Sequence, residues 1–375
     1  MINKTIGIIC NIDSPFIIED LDIKGLGGAE TWIIQISLQL AINDYHVIIF
    51  NQNKFTMQYD IGNGIEIYPI EHLDRICQYQ YFEHIIINRY INNDILDILK
   101  RNNNCNNLYF ILHDIHLWKN NLFYLGNIDS VLSNNDIKND YWLNSHLRKI
   151  FFMSKWHIDF NKPLCNYDDN LLEVIGNGIN ISNNIDFDNR DNNILWSSCK
   201  ERGLDLFITK IMPRIKEKIP DFKLYISSYN NEAGDNSIYQ DDIIYLGSLP
   251  KEKLYEEMRK HKVSFLPMEH WETFCITSIE NISNGVIFLA PYKFGLQTIF
   301  KYFESIMLKE GDYNNEEYCN YIANEIVDKI NNYKQYIPLQ KILYSYIKDN
   351  YSWENIFNKL YNIIKTYETN NSYYM

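Results

Sequence analysis

The feature that most constrains this chain is the regular alternation of short apolar runs with longer segments of helical periodicity. In the first half, apolar runs typical of strands occur at "TIGIIC", "HVIIF", "IEIYPI", "HIIIN", "LYFIL", "KIFFM" and "EVIG". The clearest helical segment between them is "AETWIIQISLQLAI". Strands that alternate with helices form parallel sheets, because each crossover helix returns the chain to the same end of the sheet. The sequence therefore predicts an α/β fold with a doubly wound parallel sheet.

The alternation restarts after a polar stretch, which predicts a second domain of the same kind. Residues 179–193, "INISNNIDFDNRDNN", have no apolar periodicity and are typical of a linker. Strand patterns return at "ILWSS", "KLYIS", "IIYLG", "VSFLP" and "VIFLA". A length of 375 residues also favours two cores over one. Ligands of such sheets bind beyond the carboxyl ends of the strands, so two facing domains are expected to form a cleft.

One helical pattern of the second half contains a proline. Apolar residues recur with a helical period in "RGLDLFITKIMPRIKEKI", and Pro213 lies inside this segment. Proline inside a helix removes a hydrogen bond and clashes with the preceding turn, so the pattern predicts a kinked helix.

Charge and cysteine content exclude several classes of function. The formal net charge of −13 argues against nucleic acid or an anionic membrane as partner, because both require a cationic surface. The seven cysteines are scattered and form no CxxC pair, which is typical of a reduced intracellular protein without a zinc site. The apolar stretch in "MINKTIGIIC" is too short for a signal peptide or a membrane span. We expect a cytoplasmic protein with no integral membrane segment.

A glycine-rich loop, "GLGGAE" at residues 25–30, follows the first strand and leads into a helix. Glycines before a helix let the backbone approach an anion, which the free N–H groups and the helix dipole attract. The loop is not a dinucleotide fingerprint, because the position of its third glycine holds Glu30. A structural turn and a contact with phosphate or sugar both remain open for this segment.

Two glutamates follow the apolar run "VSFLP". Glu272 precedes a helix expected to begin near Thr273, and Glu280 lies two turns into it. The N–H groups of Thr273, Phe274 and Cys275 would then point toward an anionic diphosphate. Glu280 would accept hydrogen bonds from two vicinal hydroxyls, such as those of a ribose. The alternative is a capping acid followed by a solvated acid on an ordinary helix.

The segment "ETFCITSIENISNG" resembles the ExxxxxxxE signature of the retaining GT-B glycosyltransferases, specifically glycosyltransferase family 4. Other segments resemble the motifs of that family in the same order: "GGAE", "ILHDIHLW", "FFMSKWHIDF", "VIGNGIN", "SSCKERGLDLF" and "YSWENI". The resemblance implies a GT-B fold of two Rossmann-like domains that face a cleft. It implies an acceptor-side domain over 1–178, a nucleotide-sugar donor domain over 179–351, and a last helix, within 352–375, that crosses back to the first domain.

The resemblance also implies an activity and three catalytic residues. His113 would contact the transferred sugar, Glu272 would bind its hydroxyls, and Arg202 would neutralise the departing diphosphate. A sugar would pass, with retention at the anomeric carbon, from a UDP-, GDP- or ADP-linked donor to a hydroxyl of a glycan, protein or lipid acceptor. No metal and no further cofactor would be required.

The donor-binding residues that the resemblance implies include one departure from the family. In that family, two basic residues bind the donor diphosphate and are called the clamp; the first is usually an arginine. Here Ser197 stands in its place, so either Lys200 compensates or the clamp is weakened. A non-catalytic sugar-nucleotide-binding protein is therefore one alternative, and a GT-B epimerase or phosphorylase is another. The implied donor-binding residues are Gly27, Gly28, Ser197, Lys200, Arg202, Thr273, Phe274, Cys275 and Glu280.

Two short patterns are compatible with a metal ion. "HDIH" at 113–116 places two histidines three residues apart, and Asp186 and Asp188 match the Asp-x-Asp by which GT-A glycosyltransferases hold Mn²⁺. The first pattern has no evident third ligand, and the second lies in a segment already rich in Asn and Asp. We expect no metal site at either place.

Overall fold

A computed structural model describes residues 4–10, 15–89, 91–119, 130–182, 185–228 and 241–368. These residues form two compact units. The first unit contains the described residues of 1–18, 28–177 and 353–375, and the second those of 19–27 and 178–352. The roles predicted for the two domains, acceptor side and donor side, stay predictions.

The sheet of the first unit has, over the described residues, the strand order β3-β4-β2-β1-β5-β6-β7-β8. Its strands are β1 (Lys4–Cys10), β2 (Tyr45–Asn51), β3 (Met57–Tyr59), β4 (Ile65–Pro69), β5 (Phe82–Asn88), β6 (Cys105–Leu112), β7 (Leu147–Phe152) and β8 (Leu172–Val174). β3 pairs antiparallel with β4, and the remaining strand pairs are parallel. The seven predicted strands are confirmed, whereas β3 was not predicted.

The sheet of the second unit is parallel, with the order β11-β10-β9-β12-β13 in the described chain. Its strands are β9 (Asp191–Trp196), β10 (Leu224–Ser227), β11 (Ile243–Gly247), β12 (His261–Phe265) and β13 (Ile287–Leu289). The five predicted strands are confirmed, and with them the α/β fold of two doubly wound sheets.

Helices connect these strands. They are α1 (Asp20–Ile23), α2 (Gly28–Ile42), α3 (Leu73–Cys77), α4 (Asn93–Asn102), α5 (Asn134–Asn139), α6 (Tyr141–His146), α7 (Lys155–Cys165), α8 (Leu204–Leu206), α9 (Met212–Lys216), α10 (Lys251–Met258), α11 (Ile276–Ser283), α12 (Leu296–Ile299), α13 (Glu316–Asn331), α14 (Tyr333–Tyr351) and α15 (Trp353–Thr366). In the described ranges, none of them is both long and apolar enough to cross a membrane.

In each sheet, the direction in which successive strands are added changes once along the chain. The chain adds β2 and β4 on one side of β1 and then returns to place β5 on the other side. In the second unit, β10 and β11 lie on one side of β9, and β12 and β13 lie on the other. Ligands of open α/β sheets bind outside the carboxyl ends of the strands at this switch point. The expected binding positions are therefore the ends of β1 and β5 and the ends of β9 and β12.

The last helix belongs to the first unit and explains the composition of α2. Residues such as Trp32, Ile33, Ile34 and Ile36 are buried around nearly the whole circumference of α2. A helix that is apolar on all sides must be covered on all sides. α2 packs against β2 on one side and against α15 on another. The return of the C-terminal helix to the first unit is therefore confirmed; residues 369–375 of this predicted segment lie outside the described residues.

The helix predicted around Pro213 is interrupted rather than continuous. α8 passes into one wide π-helical turn, Phe207–Ile211, before α9 begins at Met212. Pro213 thus lies in the first turn of α9, where its missing N–H is not needed for an intrahelical bond. In a regular α-helix, the ring of Pro213 would clash with the preceding turn. The wide π-helical turn avoids this clash.

Part of the predicted linker is firmly attached to the second unit. Arg190 is buried, and its guanidinium donates hydrogen bonds to the main-chain oxygens of Asp186, His261 and Asn284. These bonds connect the end of the linker with the start of β12 and the end of α11. Residues 183 and 184 of the linker lie outside the described residues.

His261, at the start of β12, is buried between two carboxylates. Its Nδ1 lies 2.7 Å from Asp191 Oδ1, and its Nε2 lies 3.5 Å from Glu257 Oε1. Burial disfavours the charged imidazole, but the contacts with Asp191 and Glu257 outweigh this effect and raise the pKa of His261. The protonated form therefore stabilises the second unit.

The stability of the second unit should depend on pH through His261. Because the folded-state pKa exceeds the usual value of about 6.5, the stabilisation is complete below that pH and is lost as pH rises through the folded-state pKa. We expect His261→Gln to lower the melting temperature more at pH 6 than at pH 9 in calorimetry. The exposed His270→Gln is the matched control and should not show this trend. A decrease in melting temperature for His261→Gln that is larger at pH 9 than at pH 6 would contradict the assignment.

Candidate functional site

Arg202 and Glu272 meet at the switch point of the second sheet. Arg202 ends a 3₁₀ turn, Lys200–Arg202, shortly after β9, and Glu272 lies in the loop after β12. Nη1 of Arg202 donates a hydrogen bond to Oε2 of Glu272. The side chains are 31% and 16% exposed, so both are largely desolvated but still reached by solvent. The Glu272 carboxylate raises the pKa of Arg202, so the guanidinium stays protonated.

The loop that carries Glu272 is longer than predicted. The expectation of a helix from Thr273 is wrong, because α11 begins at Ile276. Cys275 has a φ of +76°, in the left-handed region that a right-handed helix cannot contain. The N–H groups of Thr273 and Phe274 therefore do not belong to a helix end, and Glu272 does not cap α11. These residues form an irregular turn instead.

Gly295 holds this turn in place. Its N–H donates to the carbonyl oxygen of Glu272 at 2.8 Å. A Cβ atom at this position would lie 2.6 Å from the main chain of Thr273 and of Phe274, well inside van der Waals contact. Only glycine fits so close an approach of two backbones. Gly295 is not among the predicted site residues, because nothing near "KFG" in the sequence indicates what it packs against.

Glu280 is buried and paired, which excludes the alternative of a solvated acid. Its side chain is 4% exposed, and Oε1 lies 2.5 Å from Lys251 Nζ. The Tyr255 hydroxyl donates to the same oxygen at 3.2 Å. Lys251 and Tyr255 are four residues apart on α10, so both reach the same side of the helix. Neither was predicted, since their contact with Glu280 is tertiary.

The remaining donor-binding residues predicted in the second unit are Ser197, Lys200 and Cys275. Ser197 follows β9; its Oγ is buried and has no hydrogen-bond partner among the described residues, while its carbonyl accepts from Thr277 Oγ1 at 3.4 Å. Lys200 is directed elsewhere, with Nζ 3.6 Å from Asp205 Oδ1. Burial and the neighbouring Glu272 raise the pKa of Cys275, so its thiol stays protonated.

The remaining predicted site residues are His113, Gly27 and Gly28, which lie in the first unit or directly before one of its segments. His113 follows β6, and its ring meets that of Trp32 edge-on with centroids 5.8 Å apart. Burial, together with the positive charge of Arg89, lowers the pKa of His113 well below its usual range, so the imidazole is neutral. Gly28 is the first residue of α2, while Gly27 before it groups with the second unit. The roles predicted for His113 and the two glycines stay predictions.

Both patterns considered for metal binding have protein partners. The Asp186 carboxylate accepts from the N–H groups of Asp188 and Asn189, at 2.7 and 3.3 Å, as in a local turn. His116 Nδ1 lies 2.8 Å from Asn161 Oδ1. Within the part of the chain that the structure describes, no cluster of three or more His, Cys, Asp or Glu side chains could hold a metal ion.

Comparisons with known proteins show the fold. No protein-family profile and no curated protein matches the sequence. Anabaena Alr3699/HepE, solved with UDP and glucose, has 12% identity and a TM-score of 0.67, over 97% of this chain and 100% of that chain. A glycosyltransferase from Rickettsia africae ESF-5 has 14% identity and a TM-score of 0.61, over 99% and 100%. The α,α-trehalose 6-phosphate synthase of Burkholderia multivorans has 9% identity and a TM-score of 0.62, over 97% and 99%.

The chain therefore has the fold of the GT-B glycosyltransferases, with two sheets of mainly parallel strands. Membership of glycosyltransferase family 4 stays a prediction.

The close approach at Gly295 yields a test of the loop geometry. Gly295→Ala should displace the turn at residues 272–275, because the added Cβ meets backbone atoms that cannot rotate away. We expect faster amide hydrogen exchange at these residues and in the first turn of α11. Gly311→Ala is the matched control, since its Cβ would meet the ring of the half-buried Tyr318, a side chain that can move. Equal protection of the turn in both variants would contradict this account.

Proposed function

We propose that the protein is a glycosyltransferase that moves a sugar from a nucleotide-diphosphate sugar to an acceptor hydroxyl. The observation that carries the proposal is the Arg202–Glu272 pair at the switch point of the second sheet. A guanidinium suits an oxyanion of a diphosphate, and a neighbouring carboxylate suits sugar hydroxyls. The GT-B fold supports this reading. The free cysteines support a cytoplasmic location.

A uracil nucleotide is the first donor to test. The Anabaena protein was solved with UDP and with UDP-glucose, and a pneumococcal O-GlcNAc transferase of similar structure was solved with UDP and GlcNAc. These ligands belong to those proteins, and we infer a UDP-sugar for this chain by analogy. GDP- and ADP-sugars remain to be compared with it. The acceptor would be a hydroxyl of a glycan, protein or lipid.

In the proposed reaction, the protein mainly positions its substrates and stabilises charge. Negative charge develops on the diphosphate as the glycosidic bond breaks, and Arg202 is placed to neutralise it. Glu272 would hold the sugar hydroxyls, and the neutral His113 would contact the transferred sugar. The departing phosphate would take the acceptor proton on the same face, which gives retention. Gly27 and Gly28 would let the backbone approach the diphosphate, and Arg202 would supply the charge without a metal ion.

One observation favours a second candidate, a non-catalytic sugar-nucleotide-binding protein. Ser197 carries a buried hydroxyl where the family that the sequence resembles usually has an arginine, and Lys200 pairs with the exposed Asp205. Arg202 is then the main cation of the clamp. A protein with so reduced a clamp would bind a nucleotide sugar without cleaving it.

A donor panel separates the two candidates. UDP-, GDP- and ADP-sugars are incubated with the protein, with and without EDTA, and released nucleotide is measured together with binding by calorimetry. An enzyme releases nucleotide from one donor, and metal independence predicts the same rate in EDTA. Binding without release favours the non-catalytic protein. Loss of activity in EDTA that Mn²⁺ restores would contradict the metal-independent mechanism.

Of the cations in the candidate site, Arg202 should have the largest effect on turnover when it is replaced. Removing one electrostatic donor from a developing oxyanion typically costs about 10²–10³ in turnover. We expect Arg202→Ala to lower kcat by that order, with a smaller effect on donor KM, and Arg202→Lys to recover only part. Lys200→Ala is the control and should have a much smaller effect, since Lys200 pairs with Asp205. If Arg202→Ala turned over like the parent, the clamp assignment would be wrong.

Glu280 should recognise the ribose. Hydrogen bonds to a charged acceptor contribute about 1.5–3 kcal/mol each, so losing them should weaken UDP binding by at least about tenfold. The parent should prefer UDP over 2′-deoxy-UDP in calorimetry, and Glu280→Gln should reduce that preference. Tyr255→Phe is the matched control, because it removes a partner of Glu280 Oε1 without changing the charge. An unchanged preference in Glu280→Gln would exclude the ribose contact.

A further inference from the structure

Lys251 lies at the start of α10 and reaches the candidate site of the second unit. Its Nζ is 2.5 Å from Glu280 Oε1, and the two side chains are 18% and 4% exposed. Lys251 is the first residue of α10, so its charge lies where the helix dipole is already positive, which disfavours the helix. The position of this lysine is therefore explained by Glu280 and not by the stability of its own helix.

The pair of Lys251 and Glu280 is also a poor source of stability for the fold. Taking two charges out of water costs free energy that their attraction offsets only when the geometry is excellent. Apolar residues of similar volume often stabilise a protein as much or more. Glu280 lies on α11, directly after the loop that carries Glu272. A role in binding the same ligand as Glu272 therefore accounts better for the pair.

The two oxygens of Glu280 are used unequally. Oε1 accepts hydrogen bonds from Lys251 Nζ and from the Tyr255 hydroxyl, at 2.5 and 3.2 Å. Burial, and then the charge of Glu280, raise the pKa of Tyr255, so its hydroxyl keeps its proton and remains a donor. A carboxylate oxygen accepts about two hydrogen bonds, so Oε1 is filled. Within the described chain, no hydrogen bond involves Oε2, which is therefore the oxygen left for a ligand.

With Oε1 filled, Glu280 has one oxygen for the two neighbouring hydroxyls of a ribose. The ammonium of Lys251 lies beside the filled oxygen and carries three donors, of which one goes to Glu280 in the described chain. A hydroxyl both donates and accepts, so the second hydroxyl can accept from Lys251 where it cannot donate to Oε1. The pair thus offers the ribose one charged acceptor and one charged donor.

We propose that Lys251 and Glu280 bind different hydroxyls of the ribose: Glu280 Oε2 accepts from one, and Lys251 Nζ donates to the other. The inference rests on the proposed function, which assigns the nucleotide to this site. With the 2′ hydroxyl on Glu280, the 3′ hydroxyl belongs to Lys251. The lysine is then a specificity-determining residue, and its charge also offsets that of Glu280 in a site that takes up an anionic diphosphate.

The test measures the dissociation constants of UDP, 2′-deoxy-UDP and 3′-deoxy-UDP by calorimetry. The parent should bind each deoxy analogue about tenfold or more weakly than UDP, because each lacks one hydrogen bond to a charged group. Lys251→Met should lose the preference for UDP over 3′-deoxy-UDP and keep the preference over 2′-deoxy-UDP. A Lys251→Met chain that keeps both preferences, loses both, or binds UDP more tightly than the parent would overturn the proposal.

Glu280→Gln gives the reciprocal measurement, which stands even where Lys251→Met does not fold. It should lose the preference over 2′-deoxy-UDP and keep that over 3′-deoxy-UDP, because Lys251 still donates. If Glu280 instead held both hydroxyls, Glu280→Gln would lose both preferences, and Lys251 would have no ribose contact. Lys253→Met is the matched control: Lys253 lies on the same helix, pairs with Glu256 at 2.8 Å and is 64% exposed, so both preferences should remain.

The outcomes keep this inference and the proposed function apart. If the parent binds UDP and a nucleotide sugar is cleaved, but Lys251→Met keeps the preference over 3′-deoxy-UDP, the lysine contact is wrong and the proposed function stands. If the two variants divide the hydroxyls as expected but no nucleotide sugar is cleaved, the ribose contacts stand and the transferase proposal fails. A parent that binds no nucleotide contradicts both.

Discussion

The ion pair between Arg202 and Glu272 is the interaction on which the candidate site of the second unit depends. It joins the segment after β9 to the loop after β12, the two strands between which the sheet changes direction. Because solvent still reaches both side chains, the loss of one partner would free the loop after β12 without leaving a fully buried charge. The guanidinium has five donors in a fixed plane, so it can keep Glu272 in position while it binds a second oxyanion. The pair thus holds the loop in position and also leaves the Arg202 guanidinium able to bind an anion.

The polar and charged groups at the two switch points differ. In the second unit, both acids of the candidate site have a cation: Glu272 has Arg202, and Glu280 has Lys251. This arrangement suits a ligand with a diphosphate at one end and hydroxyl groups elsewhere. At the first sheet, by contrast, the buried Glu30 Oε2 and the Asn88 amide have no hydrogen-bond partner within the described ranges. In the proposed function, the arrangement in the second unit would bind the donor.

Much of the fold could be predicted because parallel strands are buried on both faces and therefore appear as continuous apolar runs. β3 was missed because it is short and half-exposed, and only its pairing with β4 makes it a strand. The start of α11 was misplaced because the left-handed conformation of Cys275 is unusual for a residue with a side chain. The sequence predicted Arg202, Glu272 and Glu280 as residues of the candidate site, whereas the contacts of Lys251 and Gly295 with them could be found only from the tertiary structure.

The most direct test of this account is the affinity of UDP for a variant in which Glu272 no longer opposes the ligand. Glu272→Gln keeps the shape of the side chain but removes a negative charge near the proposed diphosphate position. Like charges about 4 Å apart repel by about 1 kcal/mol even in water, so UDP should bind roughly fivefold more tightly, or better. The exposed Glu269→Gln in the same loop controls for overall charge and should have little effect. Calorimetry that finds UDP binding to Glu272→Gln unchanged or weaker than to the parent would contradict the assignment of Arg202 and Glu272 to the diphosphate site.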